Sequence, residues 1–221
     1  MSAPSIAQQI DDFTTGFDAQ IGDRLAGVFA GEQTDLRSAG VPDAALGIGD
    51  TAPDAVLVEV DGTTKTFSAA RGGAATVVVF YRGAWCPYCN ITLRSYQETL
   101  VPALRERGVG LIAVSPQTPD GSAQSTTNGS LDFRVLSDPG NVLAEKFGIV
   151  TEPSAAARAA HTDLGFDVAD SNADDTARVP FPSAYVIDET GVVRFADVHV
   201  DYTTRTESEE IIAALDRLPA T

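Results

Sequence analysis

Cys86 and Cys89 are the only cysteines in the 221-residue chain, and they stand two residues apart directly after an apolar, β-branched run over residues 76–81. That run reads as a buried central strand. A C-x-x-C that follows such a strand and opens a helix reads as a dithiol redox site, which commits this part of the chain to a β–α unit. The chemistry follows from the placement. Backbone N–H groups of a helix's first turn lack intrahelical partners and carry partial positive charge. A thiolate set there is stabilised, and a second thiol one turn away can close a disulfide with it. Structural zinc is the main rival reading of C-x-x-C, but it usually takes four Cys or His ligands. Only His161 and His199 are left to complete a set, and neither has ligand spacing. No metal and no other cofactor is expected.

The rest of the chain reads as further α/β structure. Residues 4–30 carry Ile6, Ile10, Phe13, Phe17, Ile21, Leu25 and Phe29 at spacings of three and four, an amphipathic helix. Residues 31–50 read as a Gly/Ala/Asp-rich connector. The chain is accordingly divided into an N-terminal helical extension (1–44) and a redox domain (45–221). Residues 55–60 and 64–67 flank an Asp61-Gly62 hairpin signal. After the cysteines, Leu93, Tyr96, Leu100 and Leu104 mark one helix face, ended by Arg105, Arg107 and Gly108. Residues 109–114 form the next strand, completing a right-handed β–α–β crossover. A short helix is expected within 115–130, a strand over 133–136 and a helix over 141–147. Residues 150–178 read as an irregular insertion with one short helix and a disordered part. Residues 183–188 and 192–196 form the last hairpin, and a helix over 209–218 closes the chain.

Charge narrows the partners. With 31 acidic and 15 basic residues the net charge is −16, a surface that repels nucleic acid and anionic membranes. No apolar run approaches a membrane span, and the N-terminus carries no basic region followed by an apolar stretch. Two cysteines do not make a disulfide scaffold, so a reducing, cytoplasmic location is expected.

A resemblance now enters on particular residues. Gly49-Asp-Thr-Ala-Pro-Asp54 with its Asp-Gly hairpin, Phe80-Tyr-Arg-Gly-Ala-Trp-Cys-Pro-Tyr-Cys-Asn90, residues 180–197 and residues 201–207 are similar to the peroxiredoxin-like (AhpC/TSA, redoxin) subgroup that carries a C-x-x-C. The likeness covers about residues 45–218. It implies a thioredoxin fold, three layers α/β/α around a mixed sheet, with the helical extension in front and the insertion before the last hairpin. It also implies a thiol-dependent peroxidase acting on hydrogen peroxide or organic hydroperoxides. A peroxidatic thiolate becomes a sulfenic acid, a resolving thiol condenses with it, and thioredoxin or a similar dithiol restores the pair. A homodimer is one option. The alternative is a thioredoxin-like oxidoreductase acting on protein disulfides.

Cys86, the more N-terminal thiol, is assigned as nucleophile and Cys89 as resolving thiol, with the reverse kept open. Trp85 is expected to shield the site, Pro87 and Tyr88 to shape it, and Arg82 to lower the thiol pKa by proximity. Pro182 is expected in cis, as the opposite wall with a free backbone edge beside it. The chain departs from the family pattern in two places. Gly83 stands where a Thr or Ser hydroxyl is usual three residues before the peroxidatic Cys86, and Pro182 where an Arg is usual. Arg82 and Arg178 are candidate substitutes, and Arg205 is read as a structural ion-pair residue.

Overall fold

The structure, a computed structural model, describes residues 4–218. At its centre lies β3 (Thr76–Phe80), buried at every position. Its side chains alternate as a pleat demands. Val77 and Val79, with Tyr81 just past the strand, point into one core, and Val78 and Phe80 into another on the opposite face. An apolar strand buried on both sides needs both faces covered, and each buried valine contributes about 1.5–3 kcal/mol.

The strands around it are β1 (Val56–Val58), β2 (Thr64–Thr66), β4 (Gly110–Ser115), β5 (Arg134–Ser137), β8 (Ser183–Ile187) and β9 (Val193–Val198). They form a seven-stranded sheet in the order β2-β1-β5-β4-β3-β8-β9. β3, β4 and β5 run parallel, while β1 pairs with β5, and β8 with β3 and β9, in antiparallel register. The first face is covered by α1 (Ile6–Ala39), α3 (Pro87–Ser95), α4 (Val101–Glu106) and α8 (Ser208–Leu215), through residues such as Ile10, Leu93, Leu104 and Ile211. The second is covered by α2 (Phe67–Arg71) and α6 (Val142–Lys146), through Phe67, Leu143 and Phe147. The three-layer mixed α/β expectation is met, with α5 (Pro119–Gly129) leading from β4 towards β5.

The N-terminal helix is longer than its stripe implied. It runs 34 residues and takes in 31–39, read above as connector. Those residues carry little apolar periodicity: Leu36 packs on the core, and polar contacts add to it. Glu32 accepts the Ser154 N–H at 2.8 Å, and Arg37 pairs with Asp201 at 2.5 Å. The run is broken at Gly22, whose φ of 80° and ψ of 161° lie in a region open essentially to glycine alone. At its start, a capping box from Ser5 and Gln8 is joined by the Glu207 carboxylate, which accepts the N–H groups of Ile6 and Ala7.

The helix after the cysteines is not one regular helix either. Between α3 and α4, residues 96–100 form a π-helical turn in which Val101 N–H donates to Tyr96 O. Pro102, at the start of α4, has no N–H to give and its ring crowds the preceding turn, which widens the helix there. Residues 150–178 carry more regular structure than expected. β6 (Val150–Thr151) and β7 (Val179–Pro180) pair at their base, and α7 (Ala155–Asp163) packs on α1.

Candidate active site

Cys86 is the N-cap residue of α3, and Pro87 occupies the first turn, where a missing N–H costs nothing. The loop that carries Cys86 off the end of β3 is fixed from several sides. Cys86 N–H donates to Gly83 O at 3.1 Å, Ala84 N–H to Gln117 Oε1 at 2.8 Å, and Asn90 Nδ2 to Ala84 O at 2.8 Å. Gly83 has φ of 148°, and a Cβ built on it would fall 2.5 Å from Trp85 Nε1. That explains the missing hydroxyl of the family pattern: the indole covers this position and leaves no room for any side chain.

Both sulfurs are reduced, buried and within hydrogen-bonding reach of one another. Burial alone would push the Cys89 thiol up. The hydrogen bond from Cys86, the charge of Arg205 and the backbone N–H of Arg82 overcome it, so Cys89 is held well below the ordinary thiol range. Burial drives Cys86 the other way, reinforced by its hydrogen bond to Cys89 and by the negative charge there. The pair therefore loses its first proton as a unit, with Cys86 S–H donating to the Cys89 thiolate.

Arg205 is the residue that sequence reasoning undervalued. Its Nη2 lies 3.3 Å from Cys89 Sγ, and its Nη1 donates to the carbonyls of Tyr202 and Thr204, both at 2.6 Å. The widened turn after α3 helps set this geometry, because Tyr96 Oη donates to Thr206 O at 2.7 Å, next to Arg205. Behind it, His199 bridges Thr204, Asp197 and Thr206. In sequence, Arg205 lies 116 residues from Cys89. The only signal was its place in the Tyr-Thr-Thr-Arg stretch that carried part of the resemblance.

The remaining expected residues divide between two spaces. Cys86, Arg82, Trp85, Pro87 and Tyr88 line a cavity of about 460 Å³. Cys89 lines a separate gap of about 10 Å³ with Arg205 and His199. Arg82 is buried and sandwiched, its Cζ 4.2 Å from the Tyr202 ring centroid and 4.9 Å from that of Trp85. The Tyr88 ring meets Phe13 of α1 edge-on at 5.5 Å. Arg178 does not reach the site, since it pairs with Glu145 at 2.5 Å.

Pro182 differs from expectation. Among the described residues every peptide bond is trans, Phe181–Pro182 included. The segment is held extended instead: Phe181 N–H donates to Ile149 O at 2.7 Å, and Pro182 O accepts the His199 N–H at 2.9 Å. The backbone edge expected to be free is therefore already paired. Pro182 lines a small gap with Arg82, Glu32 and Tyr202, and not the cavity that Cys86 faces.

The AhpC/TSA family model matches residues 48–196, more than half of the chain. The chain belongs to the AhpC/TSA family. It is 28% identical to Peroxiredoxin Bcp of Escherichia coli over 109 residues, 49% of this chain and 69% of that one. It is 27% identical to the thiol-disulfide oxidoreductase ResA of Geobacillus kaustophilus over 150 residues, 68% of each. The fold is that of solved peroxiredoxins. Reduced Prx3 of Vibrio vulnificus in complex with H2O2 superposes with a TM-score of 0.62 at 20% identity, covering 77% of this chain and 99% of that one. Peroxidoxin BcpB of Mycobacterium tuberculosis gives 0.60 at 19%, covering 78% and 98%. The family match leaves out residues 1–47, which hold the whole of α1. Among the described residues, no helix is long and apolar enough to cross a membrane.

Proposed function

We infer that this AhpC/TSA protein is a thiol peroxidase that reduces peroxides through a Cys86/Cys89 dithiol–disulfide cycle. The observation that carries the reading is the division of labour between the two sulfurs: Cys86 faces the large cavity, and Cys89 sits behind it under Arg205. A peroxide reaches Cys86 and not Cys89. Transfer of a proton from Cys86 to Cys89 passes between neighbouring, interacting sulfurs and places the thiolate where the substrate is.

That thiolate attacks the terminal oxygen of R–O–O–H. The O–O bond breaks, R–O⁻ takes up a proton and leaves as alcohol or water, and Cys86 becomes a sulfenic acid. Developing charge on oxygen meets the Arg82 guanidinium and the partnerless N–H groups of the first turn of α3, which takes the place of the absent Thr and Arg of the usual pattern. Cys89 then attacks the Cys86 sulfur, hydroxide leaves as water, and the disulfide forms. Cys89 returns the proton it took from Cys86 to the departing R–O⁻, and its low proton affinity leaves it ionised for that second step.

Reduction of the disulfide by thiols, as in thioredoxin-dependent relatives, restores the resting state. Action on protein disulfides is the weaker reading, because Cys86 is 1% exposed and a folded substrate has no route to it. Steady peroxide consumption with a thiol reductant, lost in Cys86→Ser, tests the proposal. Peroxide turnover no faster than that of a free thiol would refute it.

A further inference from the structure

The cavity at Cys86 is larger than a peroxide needs, and the family region does not build it alone. One wall is α1, with Phe13, Phe17, Ile21 and Phe29; another is the segment after β6, with His161 and Phe166. At about 460 Å³ it falls in the size class of small-molecule sites, which are mainly apolar with a few convergent polar groups. Two such groups are present and unused. His161 Nδ1 and Tyr202 Oη, on residues that line the cavity, are buried without a hydrogen-bond partner. Buried polar atoms in native folds normally have partners, so two at one cavity point to a ligand or water.

The charge is equally telling. Arg82 is 5% exposed, and among the described residues no carboxylate pairs with its guanidinium, which the Tyr202 and Trp85 rings flank. Glu32 lines the smaller gap with Arg82 but not the cavity; one of its oxygens accepts the Ser154 N–H and the other is buried without a partner. His161, held at about 4 by burial and by Arg82, is neutral near pH 7 and leaves Arg82 as the cation of the cavity. The single carboxylate on the wall is Asp18, on α1 near Tyr88.

We propose that this cavity binds a low-molecular-weight thiol bearing an anionic group, and that such a thiol, rather than a folded protein, reduces the Cys86–Cys89 disulfide. The proposal rests on the dithiol cycle inferred above and names its reductant. A protein reductant must bring a cysteine in line with the Cys86 sulfur, which here lies beneath α1 and the 155–168 segment. A small thiol fits the space, with its anion on Arg82 and its sulfur towards Cys86. Its thiolate attacks the Cys86 sulfur, the S–S bond breaks, and Cys89 leaves as the thiolate that Arg205 stabilises. A second thiol attacks the small-molecule sulfur of the mixed disulfide, freeing Cys86 and releasing RS–SR. The balance is one protein disulfide plus two RSH giving one dithiol plus RS–SR.

The test starts from the disulfide made with diamide, so it does not depend on any reaction with peroxide. Fluorescence of Trp85, the one tryptophan in the chain, follows its reduction. Three reductants are compared: 2-mercaptoethanesulfonate (anionic), 2-mercaptoethanol (neutral) and a bacterial thioredoxin kept reduced by its reductase. The anionic thiol should outpace the neutral one by about tenfold, the effect of one charge-assisted contact, and thioredoxin should be slower than either at equal concentration. Ala26→Phe, which fills the cavity from a partly exposed helix position, should slow the anionic thiol by about tenfold; Ala30→Leu is the milder version should Phe perturb folding. Faster reduction by thioredoxin, or equal rates for the two small thiols, overturns the proposal. Failure of peroxide to oxidise the dithiol in a separate mixing experiment would instead sink the peroxidase reading.

Discussion

At the residue scale the site rests on two arginines and one glycine. Arg205 sets the charge of the pair. Its replacement by methionine removes the cation from Cys89 Sγ but leaves the sulfurs in place. We expect the pH midpoint of dithiol alkylation by iodoacetamide to rise by about 1–2 units, with peroxide reactivity at pH 7 falling about 10- to 100-fold. An unchanged midpoint would remove Arg205 from the account. Gly83 is fixed by its φ of 148° and by the indole on top of it, so Gly83→Ala should cost about 2 kcal/mol or more in urea unfolding. His161 supplies a pH signature. Burial and Arg82 lower it to about 4 in the folded state, against an ordinary value near 6.5. Between those values the unfolded chain holds a proton that the native one does not, so stability falls as pH drops from about 6.5 towards 4. His161→Phe should lessen this loss by about 2 kcal/mol at most, read as the difference between variant and parent across that window. A difference that does not vary with pH would show that His161 is solvated.

At the element scale, legibility followed the kind of force holding each element. β3 was readable because five consecutive buried residues leave an unbroken apolar run, and the start of α3 because C-x-x-C with a proline matches a helix N-terminus. The last stretch of α1 was not readable, since Glu32 and Arg37 hold it through partners more than 100 residues away. The same distance hid Arg205. The extended trans course at Pro182 is held by a pairing of Phe181 with Ile149, distant in sequence, that no local pattern announces. The π-helical turn at residues 96–100 had a visible cause in Pro102, yet the apolar spacing through Leu100 and Leu104 masks it. The break at Gly22 carries a prediction of its own. Alanine cannot hold φ 80°, ψ 161° without a cost of about 1–3 kcal/mol, so Gly22→Ala should loosen α1 over the cavity. Faster amide exchange in residues 6–39, with β3 unaffected, is the expected result; unchanged exchange would mean that the break bears no strain.

At the scale of the whole molecule, the dithiol is covered by two pieces, a long N-terminal helix that lies outside the family match and the 150–178 segment within it. Together they roof the cavity at Cys86. The charge acts at this scale too. With a net charge of −16, self-repulsion opposes the compact state and is screened by salt, whose Debye length shrinks from about 30 Å at 0.01 M to about 10 Å at 0.1 M. The melting temperature should rise with NaCl over that range, and a flat response would show that the acidic residues are locally neutralised. The fold and the cysteine pair thus follow from short-range pattern, whereas the roof, the cation at Cys89 and the apolar cavity depend on contacts between distant segments.

The measurement that bears most directly on the central claim is rapid mixing of the reduced protein with peroxide, read by Trp85 fluorescence, with Cys86→Ser and Cys89→Ser alongside. The account predicts oxidation at least about 100-fold faster than a free thiol, the barrier lowered by the Arg82 and helix-terminus donors. Cys86→Ser should be inert, and Cys89→Ser should react once and stop at a sulfenic acid. A parent rate no greater than that of a free thiol, or a Cys86→Ser protein that reacts as fast as the parent, would contradict it.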